Sequence, residues 1–250
     1  MSEQGLCSRR DAELIIQEGR VAVNGHKITL GAKMDPLKDV LHVDGQRIRL
    51  QKKVNKLYYM LYKPRGYVTT LEDRHAAKIV TDLFDDVEER LYPVGRLDKD
   101  SEGLLIMTND GEFTQMLTHP SGKVTKTYRV SVEPAPNEEQ LIQLATGVEL
   151  DDGFKTGEAI VRVTGGDTPE RGTMEIVITE GHNREIRRMC EAVGLKVVRL
   201  KRTAVGPLRL MSMKAGEKRL LTSEEVQALK RAATKSAKGK KTANMTKKTT

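Results

Sequence analysis

The segment Gly95-Arg96-Leu97-Asp98-Lys99-Asp100-Ser101-Glu102-Gly103 sets one arginine and two aspartates between two glycines. A carboxylate so placed can serve as a nucleophile or a base, provided that it stays ionised and is held in position. What holds it is therefore the first question. Leu91-Tyr92-Pro93-Val94 leads into the segment as a strand-like run, and Leu104-Leu105-Ile106-Met107-Thr108 leads out as a second. The acids thus fall on a polar loop between rigid elements, where sites tend to sit. Read locally, the same residues are a β-turn with solvated charges, and only the rest of the chain can decide between the two readings.

Other chemistries find little support. The histidines (His26, His42, His75, His119 and His182) are scattered and form neither HExxH nor a Cys/His cluster, so no metal is expected. There is no GxSxG nucleophile elbow. Neither GxGxxG nor GxxxxGK[ST] occurs, so no phosphate-cradling glycine loop is expected. Cys7 and Cys190 lie far apart and make no CxxC, which fits reduced thiols in a cytoplasmic protein. Carboxylates and arginines remain.

The composition, 38% apolar and 31% charged over 250 residues, suits a soluble globular protein of one large or two smaller domains. No stretch approaches the ~18 apolar residues of a membrane span. The first residues, Met1-Ser2-Glu3-Gln4-Gly5, lack the apolar core of a signal peptide. A cytoplasmic location without membrane association is expected. The net charge is +8, but seven of those charges belong to the acid-free stretch 231–250. The high isoelectric point is therefore largely a property of this tail, and the body is judged by its local patches.

Residues 1–50 read as a small module. Ser8 caps a helix that Gly19 ends. Arg20-Val21-Ala22-Val23-Asn24-Gly25 and Val40 to Ile48, with its Asp44-Gly45, read as hairpins. Residues 51–56 form a polar linker. From Leu57 the chain is richer in strands: Leu57–Tyr62, Thr125–Val132, Ala159–Val163, Thr173–Ile178 and Lys196–Arg202. Helices are expected over Ala76–Phe84, Gly111–Thr118 and Asn137–Thr146, and after a capping box at Thr222. A further helix should start at Asn183 and stop at Gly194, with Ile186, Met189, Cys190 and Val193 on one apolar face. Between residues 182 and 202 lie seven Lys/Arg against two Glu, a local basic patch. The tail 231–250 is expected to be disordered by composition.

The N-terminal pattern, SRR, helix, GRVAVNG, strand, VDG, resembles the S4 RNA-binding domain; only Met1 to Cys7 precede the helix where that domain usually has a longer basic helical segment, so either the module is truncated or the true start lies upstream. The later motifs GRLDKDSEGLLIMTNDG, KTYRV, EGHNREIRRM and RLKRTAVGPL resemble, in this order, the RsuA family of bacterial ribosomal RNA pseudouridine synthases. This resemblance spans about residues 5 to 230. It implies an α+β fold: the S4-like module, then a mixed, mainly antiparallel sheet domain over 57–230 with a central cleft. The family isomerises a uridine in RNA without cofactor or metal. The resemblance implies Asp98 as the catalytic aspartate, Tyr128 as the stacking tyrosine and Arg187 as the cation paired with Asp98. Ile186 and Leu200 would surround the base, and Arg96 and Arg184 would lie near the extruded nucleotide. Arg9, Arg10 and Arg20 of the S4-like module, with Arg188, Lys201 and Arg202 of the basic patch, would contact RNA. Glu185 stands where the family commonly has Gln.

These roles are physically coherent. Chemistry on a base within folded RNA requires the base to be flipped out. An aromatic face then gives it a stacking partner worth roughly 1–3 kcal/mol. An arginine offsets the desolvation of a carboxylate beside an apolar ring, and its planar fork suits that task better than lysine. The expected partner is ribosomal RNA or a pre-ribosomal particle, the large-subunit RNA in preference to the small, and the protein is expected to be a monomer. Two other classes are weighed against this reading. A non-catalytic RNA-binding or assembly factor would have no need of Asp98, Tyr128 and Arg187 together. A glycoside hydrolase would need a second acid about 5–10 Å from Asp98.

Overall fold

The computed structural model describes residues 1–50, 55–73 and 76–245, so most of the expected linker lies outside the described residues. The N-terminal module contains helix α1 (Arg9–Gln17) and strands β1 (Val21–Val23), β2 (His26–Lys27), β3 (Leu41–Val43) and β4 (Gln46–Ile48), which form an antiparallel sheet in the order β2-β1-β3-β4. Ser8 and Asp11 cap α1 reciprocally, side chain to backbone in both directions. Two-residue turns close both hairpins, at Asn24-Gly25 and Asp44-Gly45. All four residues have positive φ, which Asn, Asp and Gly tolerate best. Ala12, Val21 and Leu41 form the small buried centre.

The larger domain is built on a nine-stranded sheet. Its strands are β5 (Tyr58–Lys63), β6 (Tyr92–Val94), β7 (Glu102–Thr108), β8 (Lys126–Glu133), β9 (Ile160–Thr168), β10 (Arg171–Ile178), β11 (Lys196–Val205), β12 (Leu208–Arg209) and β13 (Lys218–Leu220). The main order is β13-β5-β7-β11-β8-β10-β9, with β6 on β7 and β12 on β11. The named strands pair antiparallel except at one place. There β11 meets β7 in parallel, with Lys201 opposite Glu102 and Arg202 opposite Gly103. This seam joins two halves of the sheet. It also explains Gly103, whose φ is 111° and at which a Cβ would stand 2.2 Å from the Arg202 carbonyl oxygen. Only glycine permits that approach.

The strands at the centre are buried on both faces, and alternation sorts their side chains into two cores. Leu61, Leu105 and Met107 join a core that also holds Tyr128, Val130, Val132, Met174 and Ile176. Helices α3 (Glu138–Thr146) and α4 (Glu185–Ala192) supply Leu144, Ile186, Met189 and Cys190 to it. Met60, Tyr62, Leu104 and Ile106 face the other way, onto Phe113 and Leu117 of α2 (Gly111–Thr118) and Val226, Leu229 and Ala233 of α5 (Ser223–Met245).

Three expectations are corrected. Only Val80–Phe84 of the 76–84 stretch is helical, and it is a 3-10 helix; Val68 bridges Ile79 just before it, which fixes that residue as extended. Helix α4 starts one residue later than expected, with Arg184 rather than Asn183 at its N-cap and in the left-handed region. The stretch from Arg231 is not disordered at its start. It continues α5, and buried Ala233 belongs to the second core, so the domain runs past residue 230. Ala-rich sequence without proline sustains a helix despite its charge.

Candidate active site

The loop bearing Asp98 is held from several sides. Its residues turn tightly, with the Ser101 N–H donating to the Asp98 carbonyl at 3.1 Å. Thr69 donates its hydroxyl to the Leu97 carbonyl at 2.6 Å and accepts from the Leu97 N–H at 3.2 Å. Lys63, at the end of β5, is wholly buried beneath the turn. Its ammonium donates to the carbonyls of Pro64 and Asp98, both at 3.0 Å, and of Ser101 at 2.8 Å. Burial pulls its pKa down to about 8 against the charges of Asp98 and Asp100. Sequence reading had not singled out Lys63. A lysine in an otherwise apolar strand, immediately before Pro64, was the available signal.

The two aspartates of the turn differ in how firmly they are held. The Asp98 carboxylate is about one-third exposed, and Arg184 Nη1, at 3.8 Å, is its one ion-pair partner among the described residues. Asp100 is gripped by two arginines, Arg184 at 3.2 Å and Arg187 at 3.3 Å. Burial pushes Asp100 up, but the Arg184 hydrogen bond and the two guanidinium charges outweigh it and hold the group below the usual carboxylate range. Arg187 therefore pairs with Asp100, not with Asp98 as expected. Its Nη2 also donates to the Asp100 carbonyl at 3.1 Å, which makes it a brace for the turn. Asp100, a second acid close to Asp98, does not fit the hydrolase reading. That mechanism needs a carboxyl of raised pKa as proton donor, and this one is kept ionised.

Beside the turn stands an apolar wall. Tyr128 of β8, Ile186 of α4 and Leu200 of β11 are all buried in one cluster with Leu97 of the Asp98 loop. Tyr128 retains 8% exposure, so it lies at the edge of the core. These residues come from both sides of the parallel seam, which places the charged turn from β7 against the apolar wall from β8, β11 and α4.

Glu185 does point inward. It is 3% exposed, and its Oε2 accepts the His182 N–H at 2.7 Å, which shifts the start of α4 away from Asn183. Its Oε1 is buried without a hydrogen-bond partner. Burial raises its pKa to about 7, the His182 N–H opposes this, Glu180 adds to it and Lys126 opposes it. Lys126 is itself lowered by burial, and donates to the Thr179 and Glu180 carbonyls.

A model of the RNA pseudouridylate synthase family matches residues 57–192. The chain belongs to this family. An S4 domain model matches residues 1–36, within a module whose sheet extends to Ile48. The chain is 40% identical to ribosomal large subunit pseudouridine synthase B of Bacillus subtilis, across 92% of this chain and 93% of that protein. It is 36% identical to the dual-specificity RNA pseudouridine synthase RluF of Escherichia coli, across 90% and 75% respectively. A crystal structure of a pseudouridylate synthase superposes with a TM-score of 0.65 at 28% identity, covering 91% of this chain and 96% of that one. The protein is thus an RNA pseudouridine synthase, an isomerase with an S4 domain at its N-terminus.

The synthase fold spends several expected RNA contacts internally. Arg202 is buried, with Nε donating to the Leu104 carbonyl at 2.8 Å, and it stitches the seam. Arg188 is neutralised by Asp151 and by Asp152 at 2.8 Å. Arg20 is held by Asp44 at 2.6 Å and Glu18 at 2.8 Å. Lys201 lies over the Tyr62 ring at 4.5 Å, next to a network in which Glu102 receives Tyr62 and Arg199. Arg9, Arg10 and Arg96 are exposed. Among the described residues there is no metal-binding cluster, and no helix is long and apolar enough to cross a membrane.

Proposed function

We propose that this synthase converts a uridine of the large-subunit ribosomal RNA to pseudouridine, with Asp98 as its catalytic carboxylate. The observation that carries the assignment of Asp98 is the asymmetry of the turn. Asp100 is locked by two arginines, whereas Asp98 is partly exposed, loosely paired and fixed only through its backbone. A reacting group has to be positioned and yet left free to engage substrate.

In the reaction the bond from the sugar C1′ to N1 of the base breaks and a bond from C1′ to C5 forms. The proton on C5 leaves and N1 takes one up, so the product is an isomer and no redox partner is consumed. The uridine is flipped out of its RNA to reach the turn. Tyr128 offers its ring face to the base, Ile186 and Leu200 complete the apolar wall, and Arg96 contacts the displaced strand. Arg184 stands by Asp98 next to this wall, its Nη1 3.8 Å from the carboxylate. Arg187 and Asp100 set the shape of the turn. The likeness of the whole chain to a large-subunit synthase supports the choice of ribosomal RNA.

The test is to incubate the protein with total ribosomal RNA from cells lacking its gene, and to map pseudouridines. One new pseudouridine in the large-subunit RNA is expected, absent with Asp98→Asn. Modification confined to the small-subunit RNA would overturn the choice of substrate.

A further inference from the structure

We propose that Arg65 and Lys99 form a clamp for one backbone phosphate of the RNA strand next to the nucleotide presented to Asp98. The inference rests on the RNA-modifying reading above and adds to it the residues that hold the strand in place.

An open depression of about 360 Å³ adjoins Asp98, lined by Arg65, Gly66, Lys99, Asp100 and Arg184. The loop carrying Arg65 is tied to the catalytic turn. Gly66 N–H donates to the Lys99 carbonyl at 2.7 Å, and Lys63 bonds the carbonyls of Pro64 and Asp98 at once. Arg65 and Lys99 thus leave the backbone within one residue of a direct hydrogen bond between their loops. They flank a single spot, and that spot cannot move independently of Asp98.

The charges around the depression do not cancel. Asp98 and Asp100 are matched by Arg184 and Arg187, which are their ion-pair partners. Arg65 and Lys99 are exposed and have no carboxylate partner among the described residues, so they are in excess. Arg65 also faces the site. Arg187 is depressed by burial first, against the pull of Asp100, and Arg184 and Arg65 add repulsion. Such an excess calls for an anion from outside. An RNA strand supplies phosphates at regular intervals, and contacts to them fix register without reading sequence. The contrast with Arg20, Arg188 and Arg202, whose charges are satisfied inside the fold, singles out this pair.

The experiment titrates full-length protein against a large-subunit ribosomal RNA transcript across a salt series. The R65Q/K99Q double variant should lower the slope of log Kd against log salt by about 0.7 to 0.9 of a unit, the share of one phosphate contact. Its KM should rise about tenfold at moderate salt while kcat falls less, as expected when ground-state binding is lost. R65K/K99R, which keeps both charges, should restore the slope. K155Q/R162Q, which removes two exposed cations on and near β9, should change it less. An unchanged slope in the folded R65Q/K99Q protein, or an equal drop in K155Q/R162Q, overturns the clamp. If the slope falls as stated but no pseudouridine forms in large-subunit RNA, the clamp stands and the substrate assignment fails.

Discussion

The ammonium of Lys63 donates to the backbone carbonyl of Asp98 at 3.0 Å, so a buried cation on β5 fixes the height of the Asp98 turn without touching its carboxylate. The same ammonium holds Ser101 and Pro64, and all three donors are used. Lys63→Met keeps most of the shape but strands three carbonyls. It should destabilise the protein by roughly 2–5 kcal/mol, the range for breaking a buried charged network. Thermal melts and turnover at a temperature where the variant is folded would check this. Wild-type turnover in the variant would show that the turn holds without the lysine.

Asp98→Asn and Asp100→Asn should separate chemistry from architecture. Asp98→Asn should lower kcat by roughly 10³-fold or more, on the scale of losing an essential group, with little change in melting temperature or RNA affinity. Asp100→Asn should lower the melting temperature, because two arginines lose their carboxylate, and should reduce kcat by less. Circular dichroism melts beside single-turnover assays distinguish the two.

Tyr128 is both an edge of the core and the proposed platform for the base, and substitutions of different shape can separate the roles. Tyr128→Phe should keep stability and most activity. Tyr128→Leu fills the core but removes the ring, and should lose about 10- to 100-fold in kcat/KM, corresponding to ~1–3 kcal/mol of stacking. Full activity in the leucine variant would mean that the ring faces only the protein.

Glu185 predicts a pH dependence of stability. Its pKa is about 7 in the fold, raised by burial and Glu180, against about 4.3 unfolded. Between these values the native state binds the extra proton, so its contribution to stability is present below the unfolded value and is lost as pH rises through about 7. Glu185→Gln should keep the bond from the His182 N–H and remove this loss. The variant should melt above wild type at pH 8, and the gap should shrink toward pH 5. A gap independent of pH would mean that Glu185 does not titrate in this range.

Local features were legible in the chain. Asn24-Gly25 and Asp44-Gly45 announced their hairpins, and the helix expected over Gly111–Thr118 is α2 to the residue. Asp98 stood out because glycines and apolar runs framed it. The arginines were harder to read, because a cation is identical in sequence whether free or paired. Arg188 meets Asp151 across 37 residues, and Arg202 meets the Leu104 carbonyl across 98. For the same reason Arg187 was assigned to Asp98, when its partner lies two residues further on. Lys63 was missed because its three acceptors are backbone carbonyls, which leave no trace in residue type.

The parallel seam between β7 and β11 has a consequence for biosynthesis. Its partners, Glu102 and Lys201, are on the order of a hundred residues apart, a long loop to close before pairing gives any return. On a translating ribosome β7 emerges well before β11. Until then a strand whose seven residues all end up buried has an open edge, which is the kind of surface that chaperones cover. Asp98 leaves the ribosome early, whereas Arg184, Arg187 and Leu200 leave late. A nascent chain therefore carries the carboxylate proposed for catalysis before Arg184, its ion-pair partner in the fold, has emerged.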